Sequence, residues 1–64
     1  MDPDIAYERA TDLTRPLADR ITSAHALRDW IANGGFPPAV WSAREAPYAI
    51  DRLVANLENI REGR

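Results

Sequence analysis

Two stretches of helical periodicity in this chain are separated by Asn33-Gly34-Gly35-Phe36-Pro37-Pro38, and no regular helix can run through that segment. After a helix, Gly or Asn supplies the left-handed residue that turns the chain and satisfies the last carbonyls. Pro37 and Pro38 then hold it extended near polyproline II, because a locked φ and a missing N–H forbid helix continuation. The wider stretch from Trp30 to Trp41 contains both tryptophans, the only phenylalanine, two of the three glycines and two of the five prolines. Apolar mass is thus concentrated at a rigid reversal. A tryptophan three residues before Asn33 is placed for the prolines to fold back over its indole. Trp30, Phe36 and Trp41 are expected as core plugs: buried aromatics are common, and no cationic or phosphate-binding group stands beside these.

The residues on either side predict three helices. Asp2-Pro3-Asp4 reads as a start, with Asp2 as N-cap, Pro3 at the first helical position and acidic groups at the positive end of the dipole. Ile5, Ala6, Ala10, Leu13 and Leu17 come next at near-helical spacing. Pro16 interrupts them. A proline inside a helix costs on the order of 3 kcal/mol, so a break is expected around Thr14-Arg15, with Thr14 or Arg15 capping a second helix. That helix carries one apolar stripe, Leu17, Ile21, Ala24, Leu27 and Ile31, spaced by 4, 3, 3 and 4. Arg15 and Asp19 are placed for a four-residue charge pair. Ser42 and Glu45 match a capping box, but Pro47 restricts the helix start: either residues 42–46 form a separate turn, or the last helix starts at Glu45 to Pro47, the second being preferred. Ala46, Ile50, Leu53, Leu57 and Ile60 then step by 4, 3, 4 and 3, with Val54 widening the seam. Arg61 and Arg64 suit the negative end of the dipole, and Gly63 is a plausible stop.

The expected fold is all-α: one domain over residues 1–64, with a short N-terminal helix and an antiparallel helical hairpin joined by the Gly/Pro connector. A chain of 64 residues buries only roughly 60% of its unfolded surface. It has no cysteine, so disulfides and thiolate metal sites are excluded, and a single histidine makes no zinc site alone. Self-association is the remaining ordinary source of stability. A homodimer is therefore expected, with Ile50, Leu53, Leu57 and Ile60 as its seam.

The net charge is −2, and all eight basic residues are arginine. Such a surface argues against broad nucleic-acid affinity, which needs basic groups to displace counterions. No apolar run approaches a membrane span, and the acidic opening is wrong for a signal peptide, so a cytoplasmic protein is expected. Absence of lysine beside eleven alanines hints at a GC-rich genome.

Three resemblances attach to these residues. Asp29-Trp30-Ile31-Ala32-Asn33-Gly34-Gly35 with Pro37-Pro38 resembles the Trp-cage segment of the exendin peptides, in which downstream prolines enclose an indole. The match covers about a sixth of the chain, its spacer is shorter here, and it implies no hormone activity. The pattern Trp-Ile-x-x-Gly-Gly-Phe-x-Pro after an Arg/Asp-rich helix is similar to small proteins of actinobacteria and their phages, which implies a source and no activity. A helix followed by Gly-x-Phe-Pro-x-x-Val also resembles AlpA-type and excisionase-type regulators. Those families continue into a basic β-hairpin wing, whereas residues 43–48 here show no strand pattern.

No reaction is specified by the residues. His25, between Ala24 and Ala26, has no nucleophile motif or orienting partner, and reads as structural or surface. Asp12, Asp19, Asp29, Glu45, Asp51 and Glu58 are spread along polar faces, not paired for acid–base work. Gly34-Gly35 comes after a helix, so it is neither a P-loop nor a dinucleotide fingerprint. No catalytic residue, cofactor or metal is expected, and the function expected is non-catalytic protein binding by a small adaptor, inhibitor or regulator. The pre-ordered connector and its neighbour, Phe36, Pro37, Pro38, Val40, Trp41 and Tyr48, form the expected partner surface. An excisionase-like DNA-binding factor, with Arg28, Arg44 and Arg52 on phosphates, is the alternative.

Overall fold

The computed structural model describes residues 1–63 and contains three helices, α1 (Pro3–Thr11), α2 (Leu17–Ala32) and α3 (Ala46–Arg61). The protein is all-α, with no strand among the described residues. Central to it is α2, which packs against both α1 and α3. No Cα pair between α1 and α3 comes within 8 Å among those residues.

Asp2 caps α1 as the sequence predicts. Its carboxylate accepts from the backbone N–H of Asp4 (3.0 Å) and Ile5 (3.4 Å), and Pro3 occupies the position where no N–H is needed. The helix ends earlier than Pro16 alone requires. Asp12 accepts from both the N–H and the hydroxyl of Thr14 (2.9 and 2.7 Å), an Asx turn that leads the chain out of the helix. Leu13, expected on the apolar stripe, sits in this turn and is 83% exposed. Neither Thr14 nor Arg15 caps α2; Pro16 stands at its N-cap and offers only a carbonyl, to Asp19 and Arg20. Arg15 accordingly pairs with Asp12 at 3.5 Å and not with Asp19. A link between the helices comes from Arg20, whose Nε donates to the Ala10 carbonyl at 3.1 Å.

The core takes one stripe from each helix: Ala6 and Ala10; Ile21, Ala24 and Leu27; Ile50, Val54 and Leu57. Ala10 and Ala24 are fully shielded, as small side chains where two helices approach closely should be. The predicted α2 stripe is present, its end members Leu17 and Ile31 half-buried against this cluster. On α3 the buried line runs Ala46, Ile50, Val54, Leu57. Its steps of 4, 4 and 3 match the turn of a straight helix, whereas a strict three-four seam requires a supercoil. The line therefore rotates away from Leu53, which is half-buried, and Ile60, which is 55% exposed.

The turn leading into α3 carries the predicted capping box, while the helix's own N-cap, Glu45, makes no side-chain cap bond. The Ser42 N–H donates to Glu45 Oε1 at 2.8 Å, and the Glu45 N–H to Ser42 Oγ at 3.2 Å. The Ala46 N–H also reaches the Ser42 carbonyl at 3.0 Å. A wound turn leads directly into a regular helix, so the two alternatives open on sequence are successive parts of one start. Gly63, at φ +78°, stands at the expected stop; Arg64 lies outside the described residues.

Candidate functional site

The reversal after α2 has the geometry of a Schellman motif. The Gly35 N–H donates to the Trp30 carbonyl (2.8 Å), the Gly34 N–H to that of Ile31 (3.1 Å), and Gly34 takes the left-handed conformation at φ +86°. This returns the chain across its own tryptophan. Trp30 Nε1 donates to the Phe36 carbonyl at 2.8 Å, and the Phe36 ring meets the indole edge-on with centroids 5.6 Å apart. Gly35 lies so close to the indole that any side chain there would collide with it.

Beyond the reversal, the connector is fastened to α1. The Ala39 N–H donates to the Asp4 carboxylate at 2.7 Å, and Tyr7 and Trp41 pack edge-to-face at 5.2 Å. Pro38 and Pro3, which neighbour the bonded pair, are both fully buried. The connector thus ties the end of α2 back to α1 before α3 begins.

These bonds decide which expected partner residues remain reachable. Phe36 is 65% exposed, Val40 58% and Tyr48 78%, while Pro37 and Trp41 are half-buried. Pro38 is a correction: expected on the partner surface, it is sealed inside the body. Phe36 is another. Expected as a core plug, it instead lays its ring over the outside of Trp30, while Trp30 and Trp41 pack partly buried against the core. The expected dimer seam is also corrected at Ile50 and Leu57, which fill the chain's own core. Leu53 is half-buried and Ile60 exposed, so the four do not present one free face.

His25 has a partner the sequence does not reveal. Its Nε2 lies 2.9 Å from Glu58 Oε1, a half-buried contact between α2 and α3. This hydrogen bond, with the charges of His25, Arg61 and Arg28, holds the Glu58 carboxyl below its ordinary range despite some desolvation. Asp12 is likewise lowered, first by the Thr14 hydroxyl and then by the Thr14 N–H. Thirty-three residues separate His25 from Glu58, and no local pattern pairs them. Their placement opposite one another on two predicted helices is the one available signal.

Two shallow clefts flank α2. One, of about 300 Å³, lies between α1 and α2 and includes Met1, Ile5, Arg9 and Ala26. The other, of about 350 Å³, lies between α2 and α3 and is lined by Arg28, Ile31, Ala32, Pro47, Ile50 and Asp51. Among the described residues, no group of three or more His, Cys, Asp or Glu is placed to hold a metal ion, and no helix is long and apolar enough to cross a membrane. No family model, curated protein or solved structure matches the chain.

Proposed function

We propose that the chain is a non-catalytic protein-interaction module, an adaptor, inhibitor or regulator, that presents the connector to another protein. One observation carries this reading: Phe36 and Val40 are exposed on a segment fastened at Trp30, Asp4 and Tyr7. A large apolar side chain on a mobile loop loses entropy on binding, whereas one on a pre-ordered segment loses little. Aromatic side chains such as Phe36 are enriched at protein interfaces, and Val40 adds exposed apolar surface on the same segment. An antiparallel α2/α3 hairpin is part of the proposal. It is supported by His25 meeting Glu58 while Ile31 and Ala32 share a cleft with Pro47 and Ile50.

The test is paired affinity capture with the wild-type chain and a Phe36→Ala, Val40→Ala variant, then reconstitution with the purified captured protein. A partner that binds the wild type directly and is lost with the double variant supports the reading. Submicromolar DNA binding with steep salt dependence, unaffected by the double variant, would count against it.

A further inference from the structure

The cleft between α2 and α3 combines apolar walls with one charge of each sign. Ile31 and Ala32 line it from α2, Pro47 and Ile50 from α3. Arg28 stands on the α2 side and Asp51 on the α3 side. Despite lining the same cleft from opposite sides, they form no ion pair together, nor with any other group among the described residues. Glu58 feels the Arg28 charge through space, but its carboxylate is bonded to His25. Tyr48 is three positions before Asp51, the spacing that puts two residues on one helix face, and its ring is the most exposed aromatic of the chain.

We infer that this cleft is a self-association surface. A second copy, related by a two-fold axis, docks cleft to cleft, so that Arg28 of each copy meets Asp51 of the other and each Tyr48 covers the opposite apolar lining. The charge arrangement selects this occupant. In a two-fold interface residue i meets j and j meets i, so a surface with one cation and one anion on opposite walls is its own complement. A partner with charge of a single sign would match one wall and oppose the other. Tyrosine, with an apolar body and a polar tip, suits the rim of such an interface. The surface differs from the seam expected on sequence: Leu57 is sealed in the core, and Ile50 contributes only to the cleft floor. Phe36 and Val40 do not line it, and Tyr48, expected on sequence among the partner residues, is assigned here to self-association instead, so the inference does not rest on the exposed connector.

Sedimentation equilibrium over a wide concentration range tests it, with Arg28→Glu, Asp51→Arg and the two combined. Circular dichroism would verify that each variant keeps its helices. The wild type should dimerise. Each single reversal sets two like-charge pairs across the axis and should raise the dissociation constant by about 100-fold, while the combined reversal returns it to within about threefold of wild type. Phe36→Ala with Val40→Ala should leave the constant unchanged. A wild-type chain that stays monomeric at every concentration overturns the inference and leaves the cleft open to a different partner. Single reversals without effect, or a combined variant no better than either alone, would overturn it equally.

Discussion

A Cβ on Gly35 would stand within collision distance of three indole atoms of Trp30, Cε2, Nε1 and Cδ2. Gly34, one residue earlier, has open space around it but a φ of +86°. Neighbouring glycines are therefore required for different reasons, one for room beside a ring and one for a left-handed turn. Substituting each isolates the two effects. Gly34→Ala should cost about 1–2 kcal/mol, the strain of a left-handed L-residue. Gly35→Ala should cost about 1–3 kcal/mol and also displace the indole, because the ring is held by its bond to Phe36. Urea melts give the energies. Near-ultraviolet circular dichroism should report ring displacement for Gly35→Ala and none for Gly34→Ala.

Trp30 combines packing with one hydrogen bond, and two substitutions divide them. Trp30→Phe keeps a ring but loses the donor to the Phe36 carbonyl, and should cost about 1 kcal/mol plus lost contact area. Trp30→Ala removes the ring on which Gly35 and Phe36 rest. It should cost about 3 kcal/mol, the lower end for a large core aromatic, since Trp30 is half-buried. Denaturant unfolding monitored by far-ultraviolet circular dichroism measures both. A loss below about 1 kcal/mol for Trp30→Ala would show that the reversal holds without the indole.

The turn that leads into α3 is closed by the reciprocal pair Ser42 and Glu45. Ser42→Ala removes the hydroxyl that accepts from the Glu45 N–H in the turn before the helix and should cost about 1 kcal/mol, as a capping hydroxyl does, and Ser42→Asp should recover most of it. Thermal melts of the three proteins decide this. Equal midpoints would mean that Pro47 and the Ser42 carbonyl define the helix start without the side chains.

Acid should weaken the α2–α3 contact through Glu58. Its folded-state pKa is depressed, chiefly by the hydrogen bond from His25, so its stabilisation is fully present above the unfolded carboxyl pKa. That contribution disappears as pH falls through the lower folded value. Asp12 acts in the same sense at the α1–α2 turn. Stability should therefore decline as pH drops through and below the ordinary carboxylate range, and Glu58→Gln should flatten that decline. Urea midpoints measured across the acid range check this. A Glu58→Gln protein with the wild-type pH slope would remove the pair from the explanation.

Much of the fold is legible in the sequence because its signals are local. The Asp2-Pro3 start, the α2 stripe, the capping box and the glycine stop after Trp30 each lie within a few residues. The illegible part is non-local. The Asp4–Ala39 bond joins positions thirty-five apart, and the His25–Glu58 contact joins positions thirty-three apart. The first of these fixes which faces of the connector turn inward. Without it, Pro38 and Phe36 look interchangeable as candidates, whereas one is sealed and the other uncovered. The early end of α1 escapes the periodicity for a different reason. The Asp12 carboxylate captures the Thr14 N–H and hydroxyl, and that turn chemistry outweighs the helical spacing of Leu13.

The enclosure of Trp30 is tested most directly by proton NMR of the intact chain, reading the indole N–H signals and the Gly35 α-protons together. The indole N–H of Trp30 should exchange slowly with solvent, because it is donated to the Phe36 carbonyl, and the Gly35 α-protons should be shifted strongly upfield by the adjacent ring. Unshifted Gly35 protons with a freely exchanging Trp30 N–H would contradict the clamped connector, and with it the proposal that the connector is a pre-ordered partner surface.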